Sequence, residues 1–121
     1  MVNAEQKERE KRYSKRFEVR KDIRSGLMEQ LQEKQVLEPH FTDLVNDYVS
    51  MWDVKSELIY DIETKGVSIR YQNGENQFGY KRNDSVAELN RVNGQMLTIL
   101  RELGLKAEPK KVNEDEESFE L

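Results

Sequence analysis

The spacing of apolar residues along the chain predicts helices, interrupted by one short region with a different period. Val19, Ile23, Leu27 and Leu31 are four residues apart and therefore lie on one helical face. This stripe predicts a first helix over about residues 17–35. The segment before it is polar and has no sustained apolar stripe, which is typical of a solvated helix or a disordered arm.

Two further helices are predicted downstream. The second covers about residues 39–65, because Pro39 suits a first helical turn and Gly66 follows at a position where helices commonly end. The third covers about residues 85–103, and the polar residues 83–85 can each cap its start.

Between the second and third helices the apolar period changes from helical to alternating. Apolar side chains occupy every second position on both sides of Asn73-Gly74, which predicts a β-hairpin over about residues 67–81. An isolated two-stranded hairpin is marginally stable in water. The hairpin is therefore expected to lie on the helices or to pair with another subunit.

The second helix is apolar over a wider arc than a single packing partner covers. Two rows of apolar residues run side by side along this helix, which favours contact with a neighbouring subunit through one of them. The alternative is that the apolar residues form an ordinary helical-hairpin core within one chain. The predicted interface residues are Phe41, Leu44, Val45, Tyr48, Met51, Trp52, Leu58, Ile59 and Ile62.

Composition supports a protein that buries surface against copies of itself. Of the 121 residues, 36% are hydrophobic and 36% are charged, which is apolar-poor and charge-rich for a globular chain. The fold class expected is mainly α: an antiparallel helical hairpin core with one β-hairpin, which oligomerises. We divide the chain into an N-terminal arm (1–16), a helical oligomerisation core (17–104) and an acidic, disordered tail (105–121).

The two ends of the chain carry opposite charge. Residues 1–24 contain nine Lys or Arg against five acids, whereas residues 113–121 contain five acids and no cation. This asymmetry predicts two different partners, and two simply solvated ends are the alternative. In the tail, Phe119 and Leu121 would provide a short amphipathic anchor for a protein partner, unless the tail is merely disordered.

No combination of residues in the sequence points to catalysis or to a metal site. There is no cysteine, and His40 is the only histidine, so no cluster of zinc ligands can be assembled. Asp43 and Asp47 are one helical turn apart, a spacing more typical of a solvated face than of a cation site. There is no phosphate-binding Gly-Lys-Ser/Thr loop and no apolar run of about 18 residues. We therefore expect no enzyme activity, no cofactor, no metal and no membrane span.

Short motifs follow one another in order from Gly66 onward. They are Gly66-Val67-Ser68, Tyr71-Gln72-Asn73-Gly74, Gly79-Tyr80-Lys81-Arg82-Asn83, Val86-x-x-Leu89 and Leu100-Arg101-Glu102-Leu103-Gly104-Leu105. Their order and spacing resemble phage terminase small subunits, over roughly residues 37–109. The resemblance is to the branch whose last helix ends in Glu-Leu-Gly-Leu, closely followed by proline. The chain differs from that pattern in having Asn83-Asp84 where many relatives have Asn-Pro, and in placing Pro109 later.

The resemblance implies a function in packaging double-stranded viral DNA. Small terminase subunits form rings, recognise the site at which packaging begins, and present the DNA to a large subunit that holds the ATPase and the nuclease. The expected partners are therefore viral DNA, the terminase large subunit and further copies of this chain. The expected location is the host cytoplasm.

DNA binding is expected to depend on phosphate contacts from basic residues, multiplied by the number of subunits in a ring. Because no helix-turn-helix is evident, we expect any sequence preference to arise from DNA bending around the assembly. For Lys81 and Arg82 on the predicted hairpin, the alternative to a DNA contact is exposed charge at a strand edge, which discourages aggregation. The predicted DNA contacts are Lys11, Arg12, Lys15, Arg16, Arg20, Lys21, Arg24, Lys81 and Arg82.

Two other functions are compatible with a small charged helical chain. The first is a helical adaptor that binds only protein, which would show no nucleic-acid binding dependent on residues 1–24. The second is a small nuclease, which the lack of candidate metal ligands argues against.

Overall fold

The computed structural model describes residues 3–105, which form three helices and one sheet. The elements in chain order are α1 (Ala4–Glu33), α2 (Pro39–Lys65), β1 (Ser68–Gln72), β2 (Phe78–Arg82) and α3 (Asp84–Glu102). The two strands pair antiparallel. The prediction of a mainly helical chain with one β-hairpin is confirmed. The predicted acidic tail, except for its first residue, lies outside the described residues.

Helix α1 begins well before the predicted start near residue 17. The Asn3 side chain caps it by accepting a hydrogen bond from the Gln6 backbone N–H at 2.8 Å, and the helix then continues without a break to Glu33. The sequence left these early turns open between a solvated helix and a disordered arm, because they carry arginines, not apolar residues, on the side that packs. Most of the predicted arm 1–16 is therefore part of one helix with the segment that follows it.

Replacing Gly26 with alanine is expected to stabilise the chain. Gly26 lies inside α1, and a Cβ atom built there meets no other atom within 4 Å. Alanine should raise the free energy of unfolding by about 0.5–1 kcal/mol, because it loses less backbone entropy than glycine on entering a helix. Urea denaturation followed by circular dichroism measures this change. A lower denaturation midpoint would contradict an open surface at this position.

The three helices meet at one end of the molecule. The buried cluster there contains Leu27 and Leu31 from α1, Val45 from α2, and Leu103 and Leu105 from the end of α3. Since α1 and α3 both reach this cluster with their C-terminal ends and α2 with its N-terminal part, both flanking helices run antiparallel to α2. The β-hairpin lies at the opposite end of α2.

The Glu-Leu-Gly-Leu motif is the structural stop of α3. Gly104 takes a left-handed conformation with φ of 72°, which is strained for residues that have a Cβ atom. The Leu105 N–H then donates to the Leu100 carbonyl at 2.9 Å, closing the helix in the manner typical of glycine-terminated helices. This turn places Leu103 and Leu105 in the core, and Lys34 Nζ donates to the Gly104 carbonyl at 2.6 Å.

The predicted oligomer-interface residues divide into two groups in the structure. Val45 is fully buried inside the chain and is not available to a partner, because the end of α3 folds back over it. Phe41, Leu44 and Tyr48 are partly buried against the same cluster. Further along α2, four of the remaining residues are partly buried and Ile59 is exposed. This second group consists of Met51, Trp52, Leu58, Ile59 and Ile62.

Candidate nucleic-acid interface

Four arginines of α1 are spaced four residues apart and face α2, and we call them the arginine ladder: Arg12, Arg16, Arg20 and Arg24. The Nη2 atoms of Arg12 and Arg16 each lie 3.2 Å from a carboxylate oxygen of Glu57. The Arg12 guanidinium also lies 3.8 Å from the centroid of the Tyr60 ring, a cation–π contact. The first half of the ladder thus holds the N-terminal part of α1 on α2.

The second half of the ladder continues the same attachment. Arg20 Nε lies 2.8 Å from Asp53 Oδ2, and this hydrogen bond raises the pKa of Arg20 above its ordinary value. Arg24 Nε donates to Asn46 Oδ1 at 3.0 Å. Since the ion-paired side chains remain 19–35% exposed, each pair contributes only about 0.2–1 kcal/mol. All four arginines were predicted as DNA contacts, and each has a partner on α2 within the chain.

The predicted lysines of α1 have a different environment from the arginines. Lys11, Lys15 and Lys21 are exposed and form no ion pair with any residue from 3 to 105. Lys7, which sequence reasoning did not select, has the same character and is four residues before Lys11. We call Lys7, Lys11 and Lys15 the lysine stripe. Their spacing places them on one exposed face of α1, where their charges are available to an anion.

The hairpin carries a second group of available cations. Lys81 and Arg82, both predicted as contacts, are exposed and make no ion pair within the described part of the chain. Arg70 on the opposite strand is also exposed, and its guanidinium lies 4.4 Å from the centroid of the Phe78 ring. Arg70 was not among the predicted DNA contacts, because an arginine within an alternating strand pattern is typical of an ordinary solvent-facing residue.

The antiparallel topology brings the two cationic groups to the same end of the molecule. The hairpin follows the C-terminal end of α2, and the first turns of α1 lie against that same end. Glu8 and Arg9 of α1 line one surface depression together with Asp61 and Lys65 of α2. The lysine stripe therefore lies on the half of α1 that is at the hairpin end of the molecule.

Asn83 connects the hairpin to both adjacent helices, and it is only 3% exposed. Its Nδ2 atom donates to Asp61 Oδ2 at 3.1 Å and to the Gly66 carbonyl at 3.0 Å. Its Oδ1 atom accepts from the Ser85 backbone N–H at 3.0 Å and so caps α3. Its own backbone N–H donates to the Val67 carbonyl at 2.7 Å. This one side chain therefore fixes where the hairpin leaves the helices.

Asp61 completes this junction and has a strongly shifted acidity. Hydrogen bonds from Ser85 Oγ at 2.7 Å, from Lys65 Nζ at 3.0 Å and from Asn83 lower the pKa of Asp61 from 3.8 to about 2. Because the folded pKa lies below the unfolded one, ionised Asp61 stabilises the fold above about pH 4. That contribution is lost as the pH falls from about 4 to 2.

Carboxyl-carbon NMR titration measures this pKa directly. We expect a value of about 2 for Asp61 in the natural chain and a clear rise in Ser85→Ala, because the hydroxyl donor is the largest cause of the shift. An Asp61 pKa near 3.8 in the natural chain would contradict the described junction.

Within residues 3–105, no group of three His, Cys, Asp or Glu side chains is placed to hold a metal ion. None of the helices in that range is long and apolar enough to cross a membrane.

Comparison with known proteins identifies one related family. Neither the comparison with curated proteins nor that with solved structures finds a match. A sequence model described as the small subunit of phage terminase matches residues 21–117, which is 97 of the 121 residues. The match includes α2, the hairpin, α3 and the Glu-Leu-Gly-Leu stop, whereas the lysine stripe precedes it. The chain therefore belongs to the phage terminase small subunit family, whose members act in viral DNA packaging.

Proposed function

We propose that this chain recognises double-stranded viral DNA where packaging begins. It acts as an oligomeric ring in the host cytoplasm and delivers the DNA to the terminase large subunit. The observation that supports this most strongly is the position of the lysine stripe and the hairpin cations at one end of the subunit. Available cations grouped at one end suit the phosphate backbone, which supplies most of the affinity in non-specific DNA binding.

The lysine stripe, with Lys21 beyond it, is the stronger phosphate-binding candidate on α1. The arginine ladder serves chiefly to hold α1 against α2, because its guanidinium groups already have partners there. Binding DNA through the ladder would require those bonds to be exchanged. The proposed contacts on α1 are therefore Lys7, Lys11, Lys15 and Lys21, with Lys81 and Arg82 on the hairpin.

A ring supplies the affinity that one subunit lacks. Several subunits presenting the same few cations bind one duplex far more tightly than a single copy does. Exposed apolar side chains support contact between copies, with Phe17 47% exposed on α1, Val54 50% exposed on α2 and Leu97 56% exposed on α3. On α2, the apolar side chains of Met51, Trp52, Leu58 and Ile62 are also partly exposed.

The chemical steps of packaging belong to the large subunit in this proposal. The sequence has no nucleotide-binding loop, and the proposed function of this chain requires none. The acidic residues 114–120, which lie outside the described range, are the proposed contact with a basic surface of the large subunit.

Removing two lysines of the stripe tests their binding to DNA. We expect Lys11→Gln/Lys15→Gln to bind a fluorescein-labelled 30-base-pair duplex at least about tenfold more weakly, because each phosphate that is no longer neutralised keeps its condensed counterions. The slope of log affinity against log salt should also become shallower, by about 0.9 for each such phosphate. Fluorescence anisotropy at several salt concentrations measures both quantities.

The matched control is Arg91→Gln/Arg101→Gln, which removes the same charge from exposed positions on α3. We expect it to bind the duplex as the natural chain does. If both double variants lose affinity equally, net charge alone governs binding and the lysine stripe does not bind the phosphates. If the natural chain does not bind the duplex at all, the chain is better explained as an adaptor that binds only protein.

A further inference from the structure

The β-hairpin extends from the helices with almost all of its side chains exposed. In each strand only the second residue is partly buried, and the other four are exposed. Tyr80 is 76% exposed and Phe78 is 56% exposed, although large aromatic side chains are usually buried. A projecting hairpin with exposed aromatic residues marks a contact surface.

The register of the hairpin places its aromatic and basic residues on one face. Arg70 lies opposite Tyr80, Gln72 lies opposite Phe78, and Ser68 lies opposite Arg82. Because side chains alternate between the two faces of a strand, Arg70, Phe78, Tyr80 and Arg82 share one face, which we call the arginine–aromatic face. The other face is built around the ring of Tyr71, which lies over Gly79 so closely that an added Cβ atom would be 3.0 Å from its hydroxyl oxygen.

Arg70 is held ready to bind an anion or a base edge. Its guanidinium lies 4.4 Å from the centroid of the Phe78 ring, which restricts its orientation. It makes no hydrogen bond or ion pair with another residue between 3 and 105, so its N–H donors are available. A planar guanidinium with available donors binds phosphate, or the O6 and N7 atoms of guanine, in a bidentate manner.

The charge and size of the hairpin suit DNA better than a protein surface. Over residues 67–82 it has three cations (Arg70, Lys81 and Arg82) and one acid (Glu75), and its loop is rich in amide side chains. Two paired strands are about 4.8 Å apart and five residues extend about 16 Å. The major groove is about 12 Å wide and about 8.5 Å deep, and it admits a two-stranded ribbon.

We propose that the β-hairpin enters the major groove of double-stranded DNA and that its arginine–aromatic face contacts the base edges. This inference rests on the proposed DNA-binding function and deepens it. The lysine stripe holds the flanking phosphates, and Arg70 and Arg82 provide direct contacts with guanine. Sequence preference then comes from base contacts and not only from bending of the DNA around the assembly.

The test combines binding and footprinting with the full chain. We expect Arg70→Gln and Tyr80→Ala each to weaken binding of the fluorescein-labelled 30-base-pair duplex by about fivefold or more, in line with the cost of removing a side chain that reads a base. Arg101→Gln removes the same charge from the opposite end of the molecule and should bind normally. In dimethyl sulfate footprinting, the natural chain should protect guanine N7 in the major groove, and Arg70→Gln should remove part of that protection while the guanine contacted by Arg82 stays protected.

Failure of this inference can be distinguished from failure of the proposed function. If both hairpin variants bind like the natural chain while Lys11→Gln/Lys15→Gln is weakened, the groove contact is wrong and the DNA-binding function stands. Displacement by netropsin, a minor-groove ligand, without protection of guanine N7 would also overturn the groove contact. If Tyr80→Ala instead lowers the mass of the assembly in light scattering, the face binds a second copy of the chain and not DNA. A natural chain that does not bind the duplex would overturn both proposals.

Discussion

Replacing Asn83 with alanine will lower the free energy of unfolding by about 2–4 kcal/mol, the combined effect of a missing helix cap and an unsatisfied, partly buried carbonyl. The substitution removes the hydrogen bond that caps α3 and leaves the Gly66 carbonyl and Asp61 without their amide donor. The hairpin should also become more mobile, because Asn83 fixes its base. Urea denaturation gives the first quantity, and amide hydrogen exchange of residues 67–82 gives the second.

Two other substitutions separate the roles of the Asn83 side chain. Asn83→Asp keeps a good capping oxygen but places a carboxylate beside Asp61, so it should be less stable at neutral pH and recover as the pH falls. Asn90→Ala, on the exposed surface of α3, is the matched control and should leave stability nearly unchanged. An Asn83→Ala variant as stable as Asn90→Ala would contradict the assigned junction.

The second large effect is expected at Leu31, which is 1% exposed. Leu31→Ala should lower the free energy of unfolding by about 2–5 kcal/mol, because it removes buried methyl groups and leaves a cavity. This is a large share of the roughly 5–15 kcal/mol that stabilises an ordinary domain. The effect should be severe here because Leu31 belongs to the one small cluster where all three helices meet.

The chain contains its own control for this substitution. Leu37 is 74% exposed in the connection between α1 and α2, so Leu37→Ala should change stability by less than about 0.5 kcal/mol. Urea denaturation of both variants at one subunit concentration keeps any effect of self-association constant. Equal destabilisation by the two substitutions would mean that Leu37 is covered by another copy of the chain.

The sequence predicted best those elements whose packing surface is apolar. The pattern from Pro39 to Gly66 predicted α2 at its observed bounds, because both ends carry residues whose backbone preferences stop a helix. The alternation around Asn73-Gly74 likewise predicted the hairpin within one residue at either end. The loop between the strands contains Gly74 at φ of 116°, a conformation that favours glycine.

The start of α1 could not be predicted from apolar spacing. Its N-terminal half packs through arginines, so the periodic signal was present in the sequence but carried by charge. Asp53 and Glu57, four residues apart on α2, were the complementary signal. These arginines and carboxylates can be matched only when α1 and α2 are known to be antiparallel, because the relative direction of the helices determines which charges lie opposite each other.

The DNA-contact residues of α1 could also be predicted only in part, because the sequence does not show which charges pair within the chain. From charge alone, the predicted lysines and arginines of α1 are equally good candidates for binding DNA. In the fold the arginines have partners on α2, whereas the lysines are exposed. The role of Asn83 had a visible local signal, its capping position before α3. Its bonds to Asp61 and Gly66 depend on the turn of the hairpin, which returns the chain to the end of α2.

The most direct test of the proposed DNA-binding ring is the mass of the full chain mixed with a 30-base-pair duplex, measured by light scattering behind a sizing column. Combined absorbance and refractive-index detection gives the protein and DNA contributions separately. We predict a complex that contains several copies of the 14.4 kDa chain on each duplex. A 14.4 kDa monomer that elutes apart from the duplex would contradict both the ring and its binding to DNA.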